Sequence, residues 1–201
     1  MRMIGIGLAA GVVLAAGAAS AQDAAVNPLE AAFDKLCVAT HAEGARVVAA
    51  ADADGWQAAP DSVTGAPAFR QSVAEMSPEN LQARTKMDGK NRMIVLTGAG
   101  SLPMGAGGAL KLNFCSVGME GMPGAAVRAD MKGRMGFEPV HSDDASDLYA
   151  FAERDGTKTP FKGDDVDAIK KAGTSGDLSL MVVVGQPTDV SLVYAVALPA
   201  K

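Results

Sequence analysis

Cys37 and Cys115 are the two cysteines of this 201-residue chain, and a bond between them would close a loop across 78 positions. Such a crosslink restricts the unfolded chain by about 4 kcal/mol, less any native strain. It also restricts topology, because whatever carries Cys37 must then lie against whatever carries Cys115. Whether the pair is oxidised depends on the compartment, and the first residues speak to that. Met1–Ala21 has Arg2 at its front, an apolar run Ile4–Ala19 and the small residues Ala19-Ser20-Ala21 before Gln22. This is the pattern of a secretory leader cut between Ala21 and Gln22. The expectation is a periplasmic or secreted protein, in which a lone cysteine pair closes a structural disulfide. Metal-binding or redox-active thiols are the alternative, and the absence of Cys-x-x-Cys spacing argues against them.

The leader's apolar run is about 16 residues, rich in glycine and alanine, against the roughly 20 that a spanning helix needs. No second run of that length follows, and no cysteine stands at the cleavage point to carry a lipid, so no integral membrane insertion is expected. Loss of the leader removes Arg2 from 18 Lys and Arg set against 23 Asp and Glu, making the net charge of −5 one unit more negative. A dispersed acidic balance argues against nucleic acid or anionic membrane as the main partner, since both demand a basic face. An exported location also excludes most ATP- and NAD-dependent chemistry. Residues 22–201 have the length of one domain.

Apolar residues Leu29, Phe33, Leu36, Val47, Val48 and Ala51 recur at helical spacing. Asn27 can cap this helix, Pro28 suits its first turn, Gly44 divides it into two pieces and Gly55 ends it. Residues 53–67 read as an irregular connection, with a short helix near Ala68–Met76. Three hairpins follow from turn signals: Asp88-Gly89 between Leu81–Met87 and Arg92–Thr97, Asp155-Gly156 between Leu148–Glu153 and Thr157–Phe161, and Gln186–Asp189 between Leu178–Val184 and Val190–Leu198. A strand Leu110–Val117 carries Cys115. Helices are expected over Ala125–Met135 and Asp165–Ala172, the latter capped by Asp164 and stopped by Gly173. The sum is an α+β fold, a mostly antiparallel sheet built from hairpins with helices packed on one face, clamped by one disulfide.

Several constellations invite chemistry, and each has a plainer reading. Cys37-x-x-x-His41 would place a thiol and an imidazole on one helix face, but oxidation of Cys37 removes that role and leaves His41 incidental. Met104, Met119, Met122, Met131 and Met135 supply soft sulfur suited to copper(I), whereas methionine at helical spacing ordinarily fills core gaps. Copper or zinc handling would require Met119, Met122, His141 and Asp143 to converge. His141-Ser-Asp143-Asp144-Ala-Ser-Asp147 gathers an imidazole and three carboxylates but lacks the spacing of a calcium loop, and the two carboxylates of Asp52-Ala-Asp54-Gly55 fail that pattern too. Acidic turns of this kind are usually solvated.

Gly98–Gly108 has the glycine content of a phosphate loop but neither the Gly-Lys-Ser/Thr ending nor the Gly-x-Gly-x-x-Gly spacing. It reads as a mobile strand-to-strand loop, and its Gly100, Ser101, Met104 and Gly107 are the candidate partner-contact residues. Residues 138–147 form a second candidate loop. Ser101 and Ser175 stand among glycines without completing Gly-x-Ser-x-Gly, and two histidines leave few bases for a hydrolase.

The order of leader, Cys37 in a Phe-x-x-x-Cys helix, Gly55-Trp56, and the strand Leu112-Asn113-Phe114-Cys115 followed by a helix resembles small uncharacterised exported proteins of Gram-negative bacteria. The resemblance spans most of the mature chain. It implies a helix-to-strand disulfide and a cell-envelope location, and brings no catalytic or binding residue. With no complete catalytic set and no firm cofactor signal, the expectation is a non-enzymatic domain that binds a protein or small ligand in the cell envelope. Metal handling is the alternative, and a small hydrolase ranks behind it.

Overall fold

The computed structural model describes residues 27–64, 78–103, 108–163 and 165–200. The leader, the expected helix Ala68–Met76, Met104, Gly107 and Asp164 lie outside these residues.

The first helix begins as its residues dictate. The side chain of Asn27 accepts a hydrogen bond from the Leu29 N–H at 3.1 Å, Pro28 occupies the first turn, and α1 runs Pro28–Phe33. It continues into a wider π-helical segment, Asp34–Val38, which carries Cys37. A turn then places His41 and Ala42 at φ 53° and 54°, and α2 spans Gly44–Ala53, with Gly55 at φ 78° just beyond it. Gly44 therefore opens a second helix, as its low propensity suggests. A one-turn α3, Asp61–Thr64, follows β1, Gln57–Ala58.

The sheet comprises β1, β2 (Glu79–Asp88), β3 (Asn91–Pro103), β4 (Ala109–Glu120), β5 (His141–Ser142), β6 (Ser146–Arg154), β7 (Thr157–Pro160), β8 (Leu178–Gly185) and β9 (Asp189–Ala197). All pairings are antiparallel, in the order β1-β2-β3-β4-β9-β8-β6-β5, with β7 on the same outer edge of β6 as β5. The three expected hairpins form. Asp155 and Gly156 both have positive φ, 50° and 75°, as a type I′ turn requires. In the first hairpin Asp88 pairs with Asn91, so the loop is Gly89-Lys90, one residue later than Asp88-Gly89.

Side-chain alternation gives the sheet two working faces. On one, Cys115, Val117 and Met119 of β4 join Leu192 and Tyr194 of β9, Met181 and Val183 of β8, and Tyr149 and Phe151 of β6. Leu29, Phe33 and Leu36 of the first helical run, Val47 and Ala51 of α2, and Val127, Met131 and Met135 of α4 (Gly124–Met135) cover this face. Cys37 and Cys115 are fully buried there and form the expected disulfide, Cα to Cα 5.2 Å. The opposite face holds Leu110, Leu112, Phe114, Leu178 and Ala195, and the last helix, α5 (Val166–Ser175), rests Ile169 and Ala172 on it.

Helix α5 departs from its expected limits. Asp165 caps it, accepting from the Ala168 N–H at 3.1 Å, and Gly176 at φ 83° ends it. Gly173 is internal to the helix. Its role is proximity: a Cβ there would come within 2.6 Å of the Leu110 side chain.

Candidate functional site

The glycine-rich stretch expected as a loop is mostly strand. Residues Ala99 to Pro103 of β3 pair with Asn113 to Ala109 of β4. Pairing along the whole of this stretch with β4, joined by β2 as far as Ala99, outweighs the weak strand propensity of Gly98 and Gly100. Gly98 has a further reason to be glycine, since a Cβ would lie 2.9 Å from the Glu79 carbonyl oxygen. The expected loop 138–147 likewise contains β5 and the start of β6.

Where β3 ends and β4 begins, a cleft of about 560 Å³ opens between the sheet, the end of α5 and the segment after β9. Its walls include Glu79, Gly100, Ser101, Lys111, Thr174 and Pro199. Three pieces of chain far apart in sequence build it. The β3–β4 hairpin supplies Ser101 and Lys111, which face each other as a cross-strand pair. Helix α5 supplies Gly173 and Thr174. The final segment is held on both sides, Leu198 N–H donating to Lys111 O at 2.8 Å and Ala200 N–H to Thr174 O at 3.0 Å. Apolar Leu198, Pro199 and Ala109 line it together with Ser101, Thr174, Lys111 and Glu79, and the volume lies in the range of small-ligand sites. A smaller hollow of about 220 Å³, lined by Ile94, Gly118, Val184 and Val190, lies where the paired ends of β3, β4, β9 and β8 meet.

Of the expected contact residues, Gly100 and Ser101 line the larger cleft. Comparison with known proteins finds no matching family model, curated protein or solved structure. The site is thus read from its own geometry. Ser101 is half-buried and its hydroxyl bonds to no described side chain, while the Ser175 hydroxyl is engaged with Ala172 O and Asp177.

The remaining sequence candidates are distributed across the fold. Met119 is 2 % exposed in the core and Met122 packs against the same cluster. His141 is exposed on β5, with β9, β8 and β6 intervening in the sheet order between it and Met119 on β4. The structure therefore does not bring the methionines to His141. It does bring His141 to Asp143, Nε2 to Oδ2 3.5 Å. Among the described residues no group of three or more His, Cys, Asp or Glu is disposed around one point. Cys37 is consumed by the disulfide and His41 is exposed on its turn, so no thiolate–imidazole pair exists.

The acidic turn has an internal use. One oxygen of Asp143 accepts from the N–H groups of Ala145 and Ser146, which holds its carboxyl below the usual range. Asp147, 7 % exposed, receives two bonds from Arg128 of α4, at 2.8 and 2.9 Å, and another from Ser142 Oγ. Arg128 also donates to the carbonyls of Asp143 and Asp144. The turn is a clasp fastening β5 and β6 to α4. Asp52 and Asp54 are likewise occupied, Asp52 by Arg84, and Asp54 by Lys35, Lys86 and the Trp56 indole N–H.

Proposed function

We propose that this chain is an exported, non-enzymatic binding protein whose ligand site is the cleft at the β3–β4 end of the sheet. The observation that carries the reading is the composition of that cleft. Its volume is sufficient for a small molecule or a few residues of peptide, its apolar surface comes from Ala109, Leu198 and Pro199, and Ser101, Lys111, Glu79 and Thr174 provide polar groups at its walls. Concave apolar sites with a few convergent polar groups are the usual form of small-ligand pockets. The export half of the reading rests on Met1–Ala21 and accords with the buried disulfide, which an oxidising compartment permits.

The test is a ¹⁵N–¹H correlation spectrum of residues 22–201 titrated with a set of small amphipathic fragments. Shifts concentrated at Ser101, Lys111, Thr174 and Leu198, and abolished by Ala109→Trp, are the expected result. Shifts scattered over the surface, or confined to the hollow at Ile94 and Gly118, overturn it. The mass of the protein recovered from a periplasmic extract checks export, beginning at Gln22 if the leader is cut as expected.

A further inference from the structure

The ladder between β4 and the segment after β9 stops short of Ala109. Leu198 N–H donates to Lys111 O, so the main chain of Lys111 faces the β9 side. Main-chain direction alternates along a strand, and Ala109, two residues earlier, turns its N–H and C=O to that same side. Continuing the register from Leu112 opposite Ala197 places Ala200 opposite Ala109. The chain leaves the sheet there, and Ala200 bonds to the end of α5 instead.

Ala109 is exposed, and among the described residues no strand pairs with it on this side. Beside it the chain is uncrowded: a Cβ built on Gly108 would meet no heavy atom within 4 Å. An open strand edge with a free donor and acceptor is what an extended peptide adds to. One residue past the buried Leu110, Lys111 is exposed and forms no ion pair with a described residue. Its ammonium is a point charge on a flexible stem, suited to a carboxylate whose position is not rigidly fixed.

We infer that the cleft takes the end of an extended peptide, paired in strand fashion with Ala109 and with its terminal carboxylate against the Lys111 ammonium. In the complex a peptide N–H donates to Ala109 O, the Ala109 N–H donates to a peptide carbonyl, and an apolar side chain rests on Leu198 and Pro199. This assignment rests on the cleft being the ligand site and adds the ligand's chemistry.

The experiment titrates ¹⁵N-labelled protein, residues 22–201, with acetyl-Ala-Val-Leu as the free acid and, separately, as the C-terminal amide. The expected result is a downfield shift of the Ala109 N–H on saturation, with the acid binding about fivefold more tightly than the amide, the scale of one exposed charge pair. Lys111→Met, whose exposed side chain can change without disturbing the core, is expected to bind acid and amide equally. An unmoved Ala109 N–H, or equal binding of acid and amide by the unsubstituted protein, overturns the inference. If amphipathic fragments still shift the cleft residues while the tripeptide does not, the peptide assignment alone fails. If neither probe moves them, the site itself is wrong.

Discussion

Gly124 and Gly185 approach so closely that a Cβ on Gly124 would stand 2.1 Å from the Cα of Gly185. The first turn of α4 is thereby seated on the end of β8, and the Gly124 N–H donates to Gln186 O at 3.1 Å. Neither residue has a positive φ; what glycine supplies here is proximity. Gly124→Ala is expected to lower unfolding stability by about 1–3 kcal/mol through overpacking. Gly133, exposed in the last turn of the same helix with nothing within 4 Å of its Cβ position, is the control. Gly133→Ala should raise stability by about 0.5–1 kcal/mol through propensity alone. Urea denaturation of the two variants gives opposite signs if the contact is as described.

Arg128 makes both bonds to Asp147 with one planar group while also reaching the carbonyls of Asp143 and Asp144. A lysine keeps the charge but cannot reproduce the fork. Arg128→Lys is therefore expected to cost about 1–3 kcal/mol, because Asp147 remains buried with part of its bonding lost. The same denaturation measurement, with amide exchange at Ser146 and Asp147 as a local readout, checks it.

Asp54 is held at about 2 against an ordinary 3.8, by the Lys35 ammonium first, then Lys86, with the Trp56 indole N–H adding to them. A carboxyl depressed in the folded state contributes stability that is present above its ordinary value and lost as pH falls through the folded one. Stability should thus decline between about pH 4 and pH 2, and Asp54→Asn should flatten that part of the curve. Denaturant midpoints across the interval decide the matter. An unchanged slope in the variant would remove Asp54 from the account of acid sensitivity.

Both sulfur-bearing side chains of the disulfide are wholly buried. Under native conditions a thiol reductant should leave the bond intact, and alkylation should find no free cysteine until denaturant is added. Cys37→Ser with Cys115→Ser should lose about 4 kcal/mol on the loop-entropy account, read as a lower urea midpoint.

Much of the fold was legible in the sequence because local chemistry and final structure agree. Asn27 and Pro28 start a helix wherever they precede an apolar stripe, and Asp155-Gly156 supplies the two positive φ values that a tight hairpin needs. The misread places are those where long-range contacts override local preference. Gly98 and Gly100 look like loop residues, yet both are held in register against β4, and Gly173 looks like a helix stop although its missing side chain makes room for Leu110. The cleft was legible only at Gly100 and Ser101. Glu79, Thr174 and Pro199 carry no motif, and it is the path of the chain that brings them together.

The two covers of the sheet are fastened on different terms. The helical run that holds Cys37 is tied covalently to β4, so it cannot leave that strand while the disulfide is intact. Helix α5 is seated by packing and by its main-chain bond to the segment after β9, with no covalent tie. Breathing of the native protein is therefore directed to the side that walls the cleft. On the binding role proposed above, a guest would enter there by a partial opening that leaves the covalently tied half of the molecule undisturbed.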